Sequence, residues 1–407
     1  SDYNTGYMVG DIKLAALSDT DDTDVVGTNL ITTAQSQFTS ASGWSAGGNW
    51  SINTSSGKGE ITSGTGASFL QMAVSPAVII SGDQYTVTLD VTTTSGSLYA
   101  RVGGGNYTSS IPAGTGVSVN ALASSTTSET ILFYSNSWVG TIDNVVISRA
   151  DQDRSVNANG LAVHGTITKS AVATGADLVG YSGFSASNNI IQPYNSGLDF
   201  NATDSFSVSF WVKKTGGSVG YVMDRSAGDG SSRFAIYFQN QTLLSLYTPN
   251  SDVTVSGTPA DTWFQCTATR SNGVLSCFVN GVLKGTVANA QNLTISSPLI
   301  LGARFNITNH LTDGSLALFR ISATAPSASQ IKTIYEAEKV LFQENAKATL
   351  YGTSDAVTAL AHDDSTNLLH VGTSSGRSVF QGLRRVDNTT TAVGAAISAS
   401  NGLVIED

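Results

Sequence analysis

The sequence predicts a mainly β protein: two tandem antiparallel β-sandwiches, one amphipathic helix after the second, and a small C-terminal β-segment. Three observations predict it. Apolar and polar residues alternate with a period of two over many short runs, as at Tyr85, Val87, Leu89 and Val91. Turn clusters such as Ser271-Asn272-Gly273 and Asn280-Gly281 separate the runs, since Asn and Gly tolerate positive φ at little cost. Helical spacing is convincing once, at Ile331, Ile334, Tyr335, Leu341 and Phe342.

The 407 residues suffice for two or three domains, each with its own core. Residues 1–27 hold a strand, Tyr7–Leu17, and then the acidic linker Ser18–Asp24. That linker reads as a self-repelling spacer or as a calcium loop, although Gly at the sixth position and Glu at the twelfth of an EF-hand are missing. Residues 28–150 form the first sandwich, with short β-runs between turn clusters and no convincing helix. Residues 151–159 are a polar linker, and residues 160–325 form the second sandwich.

At the centre of the second sandwich, Trp263–Arg270 and Val274–Val279 pair as a hairpin, with Val282–Val287 following after Asn280-Gly281. Cys266 and Ala268 then share a buried face with Cys277 and Val279, and two free structural thiols are favoured over a strained cross-strand bond. In residues 326–346, Ser327-Ala-Ser-Gln330 is a capping box opening one helix over 328–344. Residues 347–407 supply three strand candidates, Val357–Asp363, Asn367–Gly372 and Arg377–Leu383. The N-terminal run has no local partner, and an unpaired edge is sticky. The expectation is that residues 6–17 lie with residues 350–407, both sandwiches being carried as an insertion.

Composition excludes several functions. A net charge of −10 with only 12% charged residues argues against nucleic acid, whose phosphates need clustered Lys and Arg. No apolar run approaches the roughly 18–20 residues of a membrane span. The four histidines, His164, His310, His362 and His370, stand outside Gly-x-Ser-x-Gly or His-Glu-x-x-His settings. Gly103-Gly-Gly105 precedes no helix, which disfavours a phosphate cradle. Carboxylates are scattered without a glycosidase signature, so no catalytic residue is assigned. Sugar binding asks for less: exposed rings to stack on pyranose faces and amides to read hydroxyls. Its candidates are Tyr99, Tyr107, Tyr134 and Trp138 in the first sandwich, and Tyr181, Tyr194, Tyr221, Tyr237 and Tyr247 in the second. Trp44, Trp211 and Trp263 read as core.

The order tryptophan, β-run, turn, β-run, Asn-Gly, β-run resembles the central hairpin of laminin-G-like (concanavalin A-like) jelly rolls. Phe206–Lys213, Ile300–Ala303 and Gly314–Ile321 fall where that resemblance wants them. Asn29-Leu-Ile, Gly43-Trp44 and Gly140–Ile147 make the first sandwich similar to carbohydrate-binding-module jelly rolls. The C-terminal runs resemble one blade of a β-propeller. Gly10–Leu14 and His370–Gly376 look like segments of bacteriophage tail-fibre or virion appendage proteins. These resemblances imply a non-catalytic attachment protein of the virion or extracellular space. Its ligand contacts are drawn from Tyr99, Tyr107, Trp138, Tyr221, Asp224 and Asp229, with calcium at Asp224 and Asp229. The implied partners are a cell-surface glycan and other virion proteins, in a homotrimer, with neither nucleic acid nor membrane insertion. The rivals are a secreted bacterial adhesin, the binding portion of a polysaccharide-active enzyme, and a purely structural spacer.

Overall fold

The computed structural model describes residues 10–27, 29–73, 79, 84–123, 130–157, 159–228, 232–346, 357–382, 384–389, 397–400 and 403–406. Of these residues 54% are strand and 6% helix, against the roughly one-third helix of ordinary globular proteins, so the fold is mainly β.

The first sandwich is built on two long strands, Gln84–Val102 and Thr130–Asp151, which pair with each other through both of its sheets. Ala67–Ala73 and Trp44–Gly47 extend one half, while Gly114–Leu122, Lys58–Ile61 and Ser51–Asn53 extend the other. The long strands bend where they change sheet. There Ser95 pairs with Val139 but Ser97 with Asn136, so one extra residue bulges on the second strand. Gly96, at φ +71°, allows the crossing, because a Cβ there would sit 2.2 Å from the Ser137 carbonyl oxygen. Leu70, Leu89, Leu98, Phe133, Ile142 and Ile147 fill the core between the sheets. One helical turn, Thr33–Ser36, departs from the expectation that helix comes only after Ser327. A Thr32–Gln35 capping box starts it, a signature the sequence carried at four residues' length.

In the second sandwich one sheet runs Gly314–Ser322, Phe206–Lys214, Trp263–Ser271, Val274–Val279 and Val282–Ala288. The facing sheet runs Leu161–Ala171, Asn189–Gln192, Leu299–Leu301, Gly220–Ser226, Arg233–Asn240, Leu243–Tyr247 and Val253–Ser256. Cys266 and Cys277 are free, fully buried thiols with sulfurs 4.0 Å apart. Cys266 pairs with Val279 and Cys277 with Ala268, so the thiols meet on the diagonal.

The helix Ala328–Glu338 begins at its Ser327–Gln330 capping box and passes into a 3-10 turn, Lys339–Phe342. It lies on the outer face of the first of these sheets. Trp211 stacks on Phe342 with centroids 4.1 Å apart and on Tyr335 at 5.8 Å. Glu338 closes this layer from beneath. It accepts hydrogen bonds from Trp211 Nε1 at 2.8 Å, Gln265 Nε2 at 3.3 Å and Arg320 Nη2 at 2.9 Å, and Arg320 Nη1 pairs with its other oxygen.

Among the described residues, the N-terminal strand pairs with none of residues 350–407. Ile12–Ala16 pairs antiparallel with Gly314–Ser322, on the edge left open by the second sandwich. The edge argument was sound but the partner lies some three hundred positions along the chain. The 151–159 linker supplies what this docking needs: acceptors. Asp151 accepts from the Leu17 amide at 3.1 Å, and Asp153 from the amides of Ala15, Ser155 and Asn159, each at 2.9 Å. Nor is Ser18–Asp24 a free spacer, since Asp19 pairs with Lys169 at 2.8 Å and Arg154 at 3.5 Å. The last strand of the first sandwich continues this junction, Ala150 and Asp151 pairing with Ala162 and Leu161.

The C-terminal β-segment is a four-stranded antiparallel meander, Val357–Asp363, Leu368–Thr373, Gly376–Gln381 and Arg384–Thr389, followed by the hairpin Ile397–Ser400 with Leu403–Glu406. The fourth strand was not read from sequence because Arg384-Arg-Val-Asp-Asn-Thr389 shows no alternation.

Two outcomes follow from these packing interactions. Glu338→Ala removes the carboxylate that pairs with the 1%-exposed Arg320, and should cost about 3–5 kcal/mol in chemical unfolding; a loss under about 1 kcal/mol refutes the anchoring role. The N-terminal strand should tolerate mild acid. Burial raises Asp151 and Asp153 above the ordinary aspartate value, against the amides that lower them. A carboxyl raised in the fold holds its proton more tightly there, so these two add stability as pH falls through their folded values. Burial also pulls Asp19 upward, but Lys169 together with the Thr20 and Asp21 amides outweighs it and leaves it lowered. Its contribution is full above the unfolded value near 3.8 and is lost as pH falls further. Exchange protection at the Ala15 and Leu17 amides should therefore persist from neutral pH to about 5 and collapse only below about 4. Release of those amides above pH 5 contradicts this account.

Candidate functional site

On the first sandwich, three neighbouring strands send aromatic rings to the same solvent face. Leu70, Met72, Ile131, Phe133, Leu98, Ala100 and Val102 take the inward positions, which leaves Phe69, Tyr134 and Tyr99 outward. Register places them in one row, Phe69 opposite Tyr134 and Tyr134 opposite Tyr99. Ring centroids lie 5.4 Å apart between Phe69 and Tyr134, and 5.9 Å between Tyr134 and Tyr99.

Tyr107 adds a fourth ring, 5.0 Å from Tyr134. It comes from the loop after Val102, which Gly103 and Gly104 turn back in left-handed conformations. The returning loop bonds to the strand it left: the Thr108 amide donates to the Ala100 carbonyl at 2.9 Å, Thr108 Oγ1 accepts from the Ala100 amide at 3.0 Å, and the Ile111 amide donates to the Leu98 carbonyl at 2.8 Å. The triple glycine thus positions a ring. Arg101 lies over Tyr107 at 5.3 Å from its centroid. Phe69 is 38% and Tyr107 41% exposed, high for rings in a cluster. The result is an apolar plate edged with phenol hydroxyls and one guanidinium. Such a plate suits a ligand with a flat C–H face and peripheral hydroxyl groups.

Sequence reasoning named Tyr99, Tyr107 and Tyr134, and the structure brings them together. It passed over Phe69, whose signal was a large aromatic in the outward register of Ala67-Ser-Phe-Leu-Gln-Met-Ala73. Trp138 is a correction. It is 1% exposed, donates Nε1–H to Thr93 Oγ1 at 3.0 Å, and packs 5.2 Å from Trp50. The bulge at Ser137, with φ +52°, reverses the alternation, so an apparently outward position turns into the core.

Tyr221 and Asp224 are corrections too. Tyr221 is 7% exposed, with one face 4.7 Å from the Tyr237 ring and the Arg233 guanidinium 5.4 Å from its centroid. The same guanidinium lies 5.3 Å from Tyr247 and 5.4 Å from Phe305. Asp224 is fully buried, with both oxygens committed: it accepts from Arg233 Nε at 3.0 Å, Arg233 Nη2 at 2.6 Å and the Phe305 amide at 3.0 Å. Burial lowers the Arg233 pKa, but the paired carboxylate overrides it and drives the value up. A calcium ion would have to compete with these three donors for a fully buried carboxylate. Asp229 lies outside the described residues. Among the described residues no three His, Cys, Asp or Glu side chains group as metal ligands. Tyr181 is also buried, its hydroxyl pushed well up by burial and by the Asp151 carboxylate. Tyr194 is 49% exposed and lies away from the aromatic row, in the segment after Asn189–Gln192.

Residues 185–332 match the laminin-G family model described as the concanavalin A-like lectin/glucanases superfamily. That stretch holds most of the second sandwich and the start of its helix. No curated protein matches the chain. Among solved structures, the chain is similar to the receptor binding domain of botulinum neurotoxin C/D mosaic serotype, at 15% identity and a TM-score of 0.38, over 58% of this chain and 60% of that one. It is similar to the botulinum neurotoxin serotype D binding domain at 17% identity and a TM-score of 0.38, over 63% and 67%. The binding domain of Paraclostridial Mosquitocidal Protein 1 aligns at 13% identity and a TM-score of 0.39, over 63% and 64%. The chain thus spans about three fifths of the length of the first of these.

The Arg233–Asp224 pair makes a prediction of its own. Arg233→Ala strands a buried carboxylate and should destabilise by about 3 kcal/mol or more. Millimolar calcium should leave the melting temperature of the unaltered protein unchanged; a rise of several degrees that Asp224→Asn abolishes would place a metal here after all.

Proposed function

We propose that the protein binds glycans on a cell surface without cleaving them, as the attachment part of a virion appendage. The observation that carries this reading is the row Phe69–Tyr134–Tyr99 with Tyr107: four rings on one face, from three strands and a loop braced on one of them. Ring exposure at a folded surface has a cost in water, and a face kept this apolar beside phenol hydroxyls and Arg101 is suited to a pyranose. The match of residues 185–332 to a lectin-type superfamily supports binding in the neighbouring sandwich. The resemblance of the flanking segments to tail-fibre proteins supports the virion setting, where a homotrimer would present several such faces alongside other virion proteins.

The test uses a printed panel of bacterial and host oligosaccharides. Tyr134→Ala removes the central ring and should weaken binding at this face at least about tenfold, with Phe69→Ala and Tyr107→Ala weaker in effect. All three positions face solvent, so the unfolding midpoint should stay within a few degrees. Unchanged binding by the Tyr134→Ala and Phe69→Ala proteins would reject this face as the site. Release of reducing ends from a bound polysaccharide would reject the non-catalytic part of the reading.

A further inference from the structure

A cleft of about 510 Å³ opens where the two sandwiches meet. Its walls come from three places: Ser118 and Asn120 on the first sandwich, Asn157 and Asn159 on the linker, and Gln192 and Tyr194 on the second. We propose that this cleft is a second binding site, for a neutral glycan segment. The inference rests on the sugar-binding reading for its class of ligand but uses none of the aromatic row.

The chemistry of the lining selects the ligand. Among the described residues no Lys, Arg, Asp or Glu lines the cleft; amides and hydroxyls do, groups that both donate and accept. A charged sugar would enter without a counter-charge, whereas neutral hydroxyls find partners on either wall. Tyr194 supplies an exposed ring face at the mouth. Gln192, also in the lining, is only 2% exposed and donates its Nε2–H to the Pro193 carbonyl at 3.4 Å, which holds this wall in place. The volume is within the roughly 300–1,000 Å³ of ordinary ligand pockets, which favour domain junctions.

The walls are fixed before any ligand arrives. Asn120 donates to the Gly160 carbonyl at 3.0 Å and accepts from Thr86 Oγ1 at 2.9 Å, tying the first sandwich to the start of the second. Asn157 donates to the carbonyls of Ile12 at 3.2 Å and Lys13 at 3.1 Å, and the Asn159 amide is held by Asp153. Pairing of Ala150 and Asp151 with Ala162 and Leu161 joins the two sandwiches through a continuous strand contact. Tyr194 is steadied by its hydroxyl bond to Asp199 at 2.9 Å, with Arg225 5.8 Å from its ring. A preformed site needs less ordering on binding.

The experiment compares neutral oligosaccharides with their sialylated and sulfated counterparts on one printed panel, using the full chain. Four proteins are read: unaltered, Tyr134→Ala, Tyr194→Ala, and the double variant. The expected result is neutral-glycan binding that survives Tyr134→Ala and falls at least about tenfold when Tyr194→Ala is added. Tyr194→Phe keeps the ring and should bind within about threefold of the Tyr parent. Should Tyr194→Ala unfold, Ser196→Trp, at an exposed lining position, blocks the cleft instead and should give the same loss. Equal binding with and without Tyr194→Ala and Ser196→Trp overturns the cleft and leaves the aromatic face standing. Loss confined to acidic glycans overturns the neutral class. No binding by the unaltered protein sinks both sites.

Discussion

A sheet edge brought into contact with the rest of a protein has amides that need acceptors, and here two carboxylates of a nine-residue linker supply them. Asp151 and Asp153 hold the amides of Leu17 and Ala15, and so seat Ile12–Ala16 on the edge strand Gly314–Ser322. Asp153 also gathers Ser155 and Asn159, which winds the linker into a compact turn instead of leaving it a tether. Burial raises both carboxyls, and the donors that converge on them offset that desolvation only in part. Remove that convergence and three things loosen together: the N-terminal strand, the linker, and the fixed placement of one sandwich on the other.

Much of this architecture was legible because it is local. The hairpin Trp263–Ser271 with Val274–Val279 announces itself through alternation and Asn-Gly turns, and the helix through its capping box. What was illegible is long-range or depends on one residue of register. Nothing in Tyr7–Leu17 says that its partner is Gly314–Ser322, since an edge strand specifies a need and not an address. Nothing in Ser135-Asn-Ser-Trp138 announces a bulge, because Ser137 carries the left-handed conformation that Gly or Asn would have advertised. That single slip moves Trp138 from the outer face to the core. Tyr99 and Tyr134 precede Trp138 on the near side of the bend, so the same alternation reads them correctly.

The electrostatic misreading has a similar origin. Asp224 looks like a free carboxylate on a loop when read with Asp229, its neighbour in sequence. Its actual partner is Arg233, across the turn on the next strand, where the register sets Ser226 opposite Arg233. Buried guanidinium groups recur as pins in this sandwich. Arg225 reaches Asp199 and the carbonyls of Ile295 and Ser297, and Arg270 reaches the carbonyls of Asp204 and Gln291. Arginine suits this work, since its planar donors can satisfy several fixed acceptors at once while staying charged. With so few charged residues in the chain, a good share of them is spent inside, which leaves a surface dominated by neutral hydrogen-bonding groups.

That distribution bears on recognition. A surface poor in charge gains little long-range steering, so encounter with a ligand is slow by electrostatic standards and insensitive to salt. Affinity must then come from short-range contacts, and stacked rings with amide bonds give only modest affinity per sugar. Under the proposed reading, strength comes from presenting more than one site on a single body. The pairing of Ala150 and Asp151 with Ala162 and Leu161 makes that body stiff at the junction. Stiffness has two consequences of opposite sign. A glycan whose repeats match the spacing of the aromatic row and the cleft binds the second site at high effective concentration, while a glycan of the wrong spacing gains nothing from it. Selectivity among neutral polysaccharides, which differ little in functional groups, would therefore be set by geometry at the junction, and the carboxylates that hold the linker would govern it from a distance.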